Sequence, residues 1–130
     1  MLNLICGVSE VDLIKVSNEI KKKIDELDKM RALIRDRGEA KAQSIAEYEK
    51  AIAKTIIQLR HGVEFDIDGI STGTGIPATL IEKTARGICW QERMEMERCE
   101  ALYKSVIINI DVAQAQVNAY QSLNRYLDKA

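Results

Sequence analysis

Apolar residues recur at steps of three and four along two stretches of about 50 residues each, parted by one short interruption. That repeat constrains the fold more than any other feature of the chain. The first stripe runs Leu13, Val16, Ile20, Ile24, Leu27, Met30 and Ile34, then resumes at Ile45, Tyr48, Ile52, Ile56 and Leu59. Strands alternate at every second residue, so this spacing predicts a helix. Ser9 is placed to serve as its N-cap, Glu10 and Asp12 sit in the positive first turn, and Val8 with Leu13 forms a hydrophobic staple. His61-Gly62 ends it. Gly38 is the weak point, costing about 1 kcal/mol relative to Ala and marking a kink or a close crossing.

After Gly62 the period changes. Val63, Phe65 and Ile67 alternate with Glu64, Asp66 and Asp68, and Asp68-Gly69 is a strong hairpin-turn signal. A short β-hairpin or irregular tip is expected there, followed by a turn over residues 71–75. Pro77, the chain's only proline, suits the first helical position because its missing N–H has no partner to lose. A second helix then runs to about residue 128, with a bend at Gly87. The expectation is an all-α single domain over residues 1–130: a helix over about 9–60, a tip over 61–76 and a helix over about 77–128.

Helices of this length, roughly 75 Å at 1.5 Å per residue, need a partner along their apolar stripe. Folding back about the tip makes them antiparallel and sets Ile34 against Tyr103, Leu27 against Ile110, Ile20 against Val117 and Leu13 near Leu123. The same register sets Glu39 opposite Arg98 as a polar layer. The second helix carries more apolar surface than one partner can cover. Cys99, Tyr103, Val106, Ile110, Ala113, Val117, Tyr120 and Leu127 make one line, and Leu102, Ile108, Val112, Ala115, Ala119, Leu123 and Tyr126 a neighbouring one. The expectation is therefore a homodimer or higher oligomer forming a helical bundle, with Trp90, Tyr103, Val106, Ile107, Ile110, Val117 and Tyr120 as its candidate interface. Ala40, Ala42, Ala46, Ala51 and Ala53 on the first helix permit close approach.

A net charge of −1 gives no general pull toward nucleic acid or anionic membranes. No apolar run reaches the roughly 20 residues that span a bilayer, and residues 1–5 lack the basic and cleavage regions of a signal peptide. The three cysteines, Cys6, Cys89 and Cys99, show no C-x-x-C spacing. Cys89 and Cys99 would stand about 15 Å apart on a helix, so they read as small buried hydrophobes in a reducing, cytosolic compartment.

Chemistry-bearing patterns are sparse. Glu64, Asp66, Asp68 and Gly69 resemble the first half of a calcium loop, but Gly75 stands where the bidentate glutamate belongs. Residues 71–75 lack the Gly-Lys-Ser/Thr ending of a phosphate loop. His61, the only histidine, reads as a cap on the first helix's C-terminus. Glu92, Glu95, Glu97 and Glu100 alternate with Arg93 and Arg98 and read as intrahelical pairs; the Glu-x-x-His of bundle di-metal sites is absent. No catalytic residue, metal site or cofactor is expected, and the chain reads as a non-enzyme. Cations cluster at Arg31, Arg35, Arg37 and Lys41, and again at Arg60, Lys83 and Arg86 near the tip. The second group is the candidate nucleic-acid contact, diluted by Glu64 and Glu82.

The stretch Gly75-Ile76-Pro77-Ala78-Thr79-Leu80-Ile81-Glu82-Lys83-Thr84-Ala85-Arg86-Gly87, with Asn118-Ala119-Tyr120-Gln121-Ser122-Leu123-Asn124-Arg125-Tyr126-Leu127, resembles small helical proteins of Firmicutes phages and prophages. The similarity spans residues 40–128. It implies an accessory role beside early replication and recombination genes, with no catalytic or ligand residues to carry across. The functional expectation is a helical scaffold or protein–protein interaction module with an unidentified protein partner. The alternatives are an accessory nucleic-acid-binding factor and a virion assembly chaperone or structural component.

Overall fold

The computed structural model describes residues 10–129. Helix α1 covers Glu10–Arg60, strands β1 and β2 cover Asp66–Ile67 and Ile70–Ser71, helix α2 covers Ala78–Ile88 and helix α3 covers Trp90–Lys129. The chain is all-α apart from that two-stranded hairpin. The expected Ser9 cap, the Val8 staple and Cys6 lie outside the described residues. Contacts divide the chain into two compact units, one of residues up to Asp36 and from Lys104 onward, the other Arg37–Tyr103.

In the first unit α1 and α3 pack antiparallel. Leu27, Ala113 and Val117 form the buried cluster, with Met30 and Ile110 against it, and Arg31 Nη2 donates to Gln114 Oε1 at 3.4 Å. Leu27 clusters with Ala113 and Val117, one and two turns beyond Ile110, the residue expected opposite it. On α1 the half-buried Leu13, Ile20 and Ile34 stand at seven-residue steps from the buried Leu27. That repeat puts Lys23 in the seam and leaves Ile24 40% exposed. Lys23 is half-buried there, and its ammonium reaches Glu26 at 3.3 Å.

In the second unit the same two helices pair around smaller and more polar side chains. The Tyr103 ring lies over Gly38, 3.5 Å from where a Cβ would stand, and the Lys41 ammonium sits 4.9 Å from the ring centroid. Gly38 thus marks a close crossing. Ser44 and Thr55 are buried. Ser44 Oγ–H donates to the Lys41 carbonyl at 2.8 Å, and Thr55 Oγ1 shares a hydrogen bond with Cys89 Sγ at 3.4 Å.

The tip holds the unit's apolar centre: Leu59, Ile81 and Ala85, with Ile56, Phe65, Ile76 and Ile88 packed against them. Helix α1 ends in a Schellman motif. Val63 N–H donates to Gln58 O and Gly62 N–H to Leu59 O, with Gly62 in the left-handed region at φ +81°. The hairpin turns at Asp68-Gly69, both at positive φ, and pairs Asp66 with Ser71 and Ile67 with Ile70. That is the type I′ turn expected from Asp-Gly. Pro77 stands just before α2 rather than as its first residue. The second helical stretch is interrupted at Cys89, two residues after the bend expected at Gly87. Backbone hydrogen bonds carry across it: Cys89 N–H donates to Ala85 O, and Cys89 O accepts from Arg93 N–H.

Candidate interaction surfaces

On the second unit the seam opens into a polar groove. A cavity of about 230 Å³ is lined by residues that include Arg37, Ser44, Glu47, Glu95, Arg98 and Cys99. The cause is local, because the small residues Ser44 and Cys99 stand at buried seam positions where bulky side chains would otherwise meet. Arg98 grips Glu95 through two bonds, Nε to Oε2 at 2.9 Å and Nη2 to Oε1 at 2.5 Å. That guanidinium, and secondarily the Cys99 thiol donating at 3.4 Å, hold the Glu95 carboxyl below its ordinary range. Arg98 is thereby engaged within its own helix. A groove walled by two arginines and two glutamates is internally balanced and has no single-sign field to draw a charged ligand.

The cations are distributed likewise. Arg86 pairs with Glu82 at 2.6 Å, Arg31 lies 3.7 Å from Asp28, and Lys41 is spent on Tyr103. Arg60 and Lys83 are exposed. His61 Nδ1–H donates to Ile57 O at 2.7 Å, as a helix-end cap would. Cys89 and Cys99 are buried free thiols. Among the described residues no group of three His, Cys, Asp or Glu is placed to hold a metal ion. Nor is any helix among them long and apolar enough to cross a membrane.

Several of the residues expected at an oligomer interface have contacts within the chain. Val106 and Val117 are buried within the single chain, Ile110 packs on the Leu27 cluster, Tyr103 covers Gly38, and Tyr120 and Ile107 are half-buried. The chain's own helix pair uses most of them, because theirs is the α3 line that continues the seven-residue repeat of the seam. Trp90 is the exception, at 51% exposed, with Met94 one turn on at 60%.

The second apolar line of α3 is the one left open. Ile108 is 60% exposed, Val112 52% and Tyr126 66%, and Ala115, Ala119 and Ser122 on the same side are exposed too. At about 100° per residue these six lie within an arc of about 100°, facing nearly away from Val106, Ala113 and Val117. The line is therefore opposite the seam rather than beside it, and Leu102 belongs to the seam side, lining the groove. The expected line held these residues except Ser122 and set them beside the seam. The signal was the odd step from Val106 to Ile108, which crosses the helix.

No protein family matches the chain, and comparison with characterised proteins and solved structures gives no significant match.

Proposed function

We propose that this protein is a non-enzymatic helical scaffold of the phage or prophage type, acting in the bacterial cytoplasm by binding protein. The observation that carries this reading is the exposed apolar line of α3 at Ile108, Val112 and Tyr126. Large apolar side chains aligned over several turns and open to water mark an interaction surface. The charge-balanced groove and the paired arginines offer no comparable feature to a substrate or a nucleic acid.

The test is co-purification of tagged protein from host cells, wild type against Ile108→Glu/Val112→Glu. Both positions are exposed, so the helical signal and melting profile should be retained while protein partners are lost. Unchanged partners with an intact fold would end the reading. Salt-sensitive retention of DNA that falls when Arg60 and Lys83 are replaced by Ala would put the nucleic-acid alternative in its place.

A further inference from the structure

We infer that the occupant of the outer α3 face is a second copy of this chain, with the two α3 helices antiparallel about Asn118. The inference rests on the reading of that face as protein-binding and goes further by naming the partner and the register.

The outer line has a seven-residue repeat of its own. Ser105, Val112, Ala119 and Tyr126 occupy one position, and Ile108, Ala115 and Ser122 the other. Such a two-position seam is what a facing helix requires. From Ile108 to Tyr126 it runs roughly 27 Å at 1.5 Å per residue. Its flank carries Lys104, Asp111, Asn118 and Arg125 at the same repeat. Asp111, Asn118 and Arg125 are exposed. Arg125 reaches Ser122 Oγ at 3.3 Å, which places its guanidinium beside the seam.

Those charges select one arrangement. Antiparallel about Asn118, Asp111 of each copy meets Arg125 of the other, giving two ion pairs related by the two-fold axis. The layers then set Ile108 against Tyr126, Val112 against Ser122 and Ala115 against Ala119 of the second copy. The large side chains lie outside and the small ones at the centre, where the backbones come closest.

Competing arrangements lose these pairs. A slip of seven residues in one direction brings Lys104 against Arg125, and a slip of fourteen brings Asp111 against itself. A parallel pair would set Asp111 beside Gln116 and Asn118 beside Leu123, with no charge matched. Like charges across such a seam oppose association, so the flank discriminates between registers.

Sedimentation equilibrium of the full chain over the micromolar range tests this. Wild type should be a dimer, and Ile108→Glu should be a folded monomer by its helical signal. Asp111→Arg sets arginine against arginine twice and should weaken the dimer by about tenfold or more. Asp111→Arg/Arg125→Asp restores both pairs reversed and should recover the wild-type constant to within about threefold. A wild-type monomer, or a dimer that survives Ile108→Glu, would overturn the inference. A double variant no tighter than the single ones would overturn the register. If the chain is monomeric and Ile108→Glu still abolishes capture of another protein, the protein-binding reading stands and the second copy is excluded.

Discussion

Gly38→Ala isolates the close crossing in the second unit. Glycine inside a helix costs about 1 kcal/mol relative to alanine, because the unfolded chain loses more freedom on folding. A Cβ at this position would stand 3.5 Å from Tyr103 Cε1 and 3.9 Å from Cδ1, with no closer contact. These are ordinary van der Waals distances, so the methyl adds contact without displacing the ring. The substitution should therefore stabilise by about 0.5–1 kcal/mol. With an unfolding entropy near 2.1 cal/mol/K per residue, the upper figure raises Tm by about 3–4 °C for a chain of this length. Gly38→Leu has no such room. It must push the Tyr103 ring aside, at a cost of about 1–3 kcal/mol. Calorimetry of the two variants, alone and with Tyr103→Ala, reads both effects. In the Tyr103→Ala background the penalty of Gly38→Leu should shrink, while the gain from Gly38→Ala should persist. Destabilisation by Gly38→Ala, or a leucine penalty unchanged by removing Tyr103, would refute the reasoning.

Gly62→Ala should cost about 1–2 kcal/mol in denaturant melts, because Gly62 holds φ +81° in the Schellman motif. Leu59→Ala should cost about 2–5 kcal/mol by the same assay, since Leu59 is 4% exposed at the centre of the tip cluster. Glu95, held low by Arg98, stabilises the fold above its unfolded pKa, and this contribution is lost as pH falls through the lowered folded value. An NMR titration of the Glu95 carboxyl should show its midpoint below the ordinary glutamate range, moving up in Arg98→Ala.

How far the fold was legible followed the chemistry of each segment. The tip was read nearly residue by residue: Asp68-Gly69 requires a type I′ turn, and His61-Gly62 requires a helix stop. The helices were legible in kind but not in contact. Their apolar stripe predicts Ile45 where the seam resumes, yet the buried position there is Ser44. Ser44 can be buried because its hydroxyl is satisfied by the Lys41 carbonyl in its own helix, a local bond that hydrophobic periodicity does not register. Lys23 in place of Ile24 has the same origin, a polar head partnered one turn away. The antiparallel register was off by about a turn because many alignments of two apolar stripes match leucine to valine equally well. It is fixed instead by Tyr103 on Gly38 and Thr55 on Cys89. No composition argument weights those pairs.

The same distinction bears on α3. A helix with one buried line and one open line must keep the two from exchanging roles, since both present apolar residues on a seven-residue repeat. Here they differ in what they offer a facing helix. The inner line carries Cys99, Val106, Ala113 and Val117, all buried, and includes Tyr103, whose ring needs the space above a glycine. The outer line spaces its large residues widely, Ile108 and Val112 near one end and Tyr126 at the other, with Ala115, Ala119 and Ser122 between them. Helix α1 has one Gly38, at the point where only the inner line can use it. Rotating α3 to present its outer line would leave Tyr103 without that space and turn Asp111 or Arg125 toward the seam, where a charge without a partner costs several kcal/mol. Intrachain pairing is thereby committed to one face of α3, and the other is left open to water.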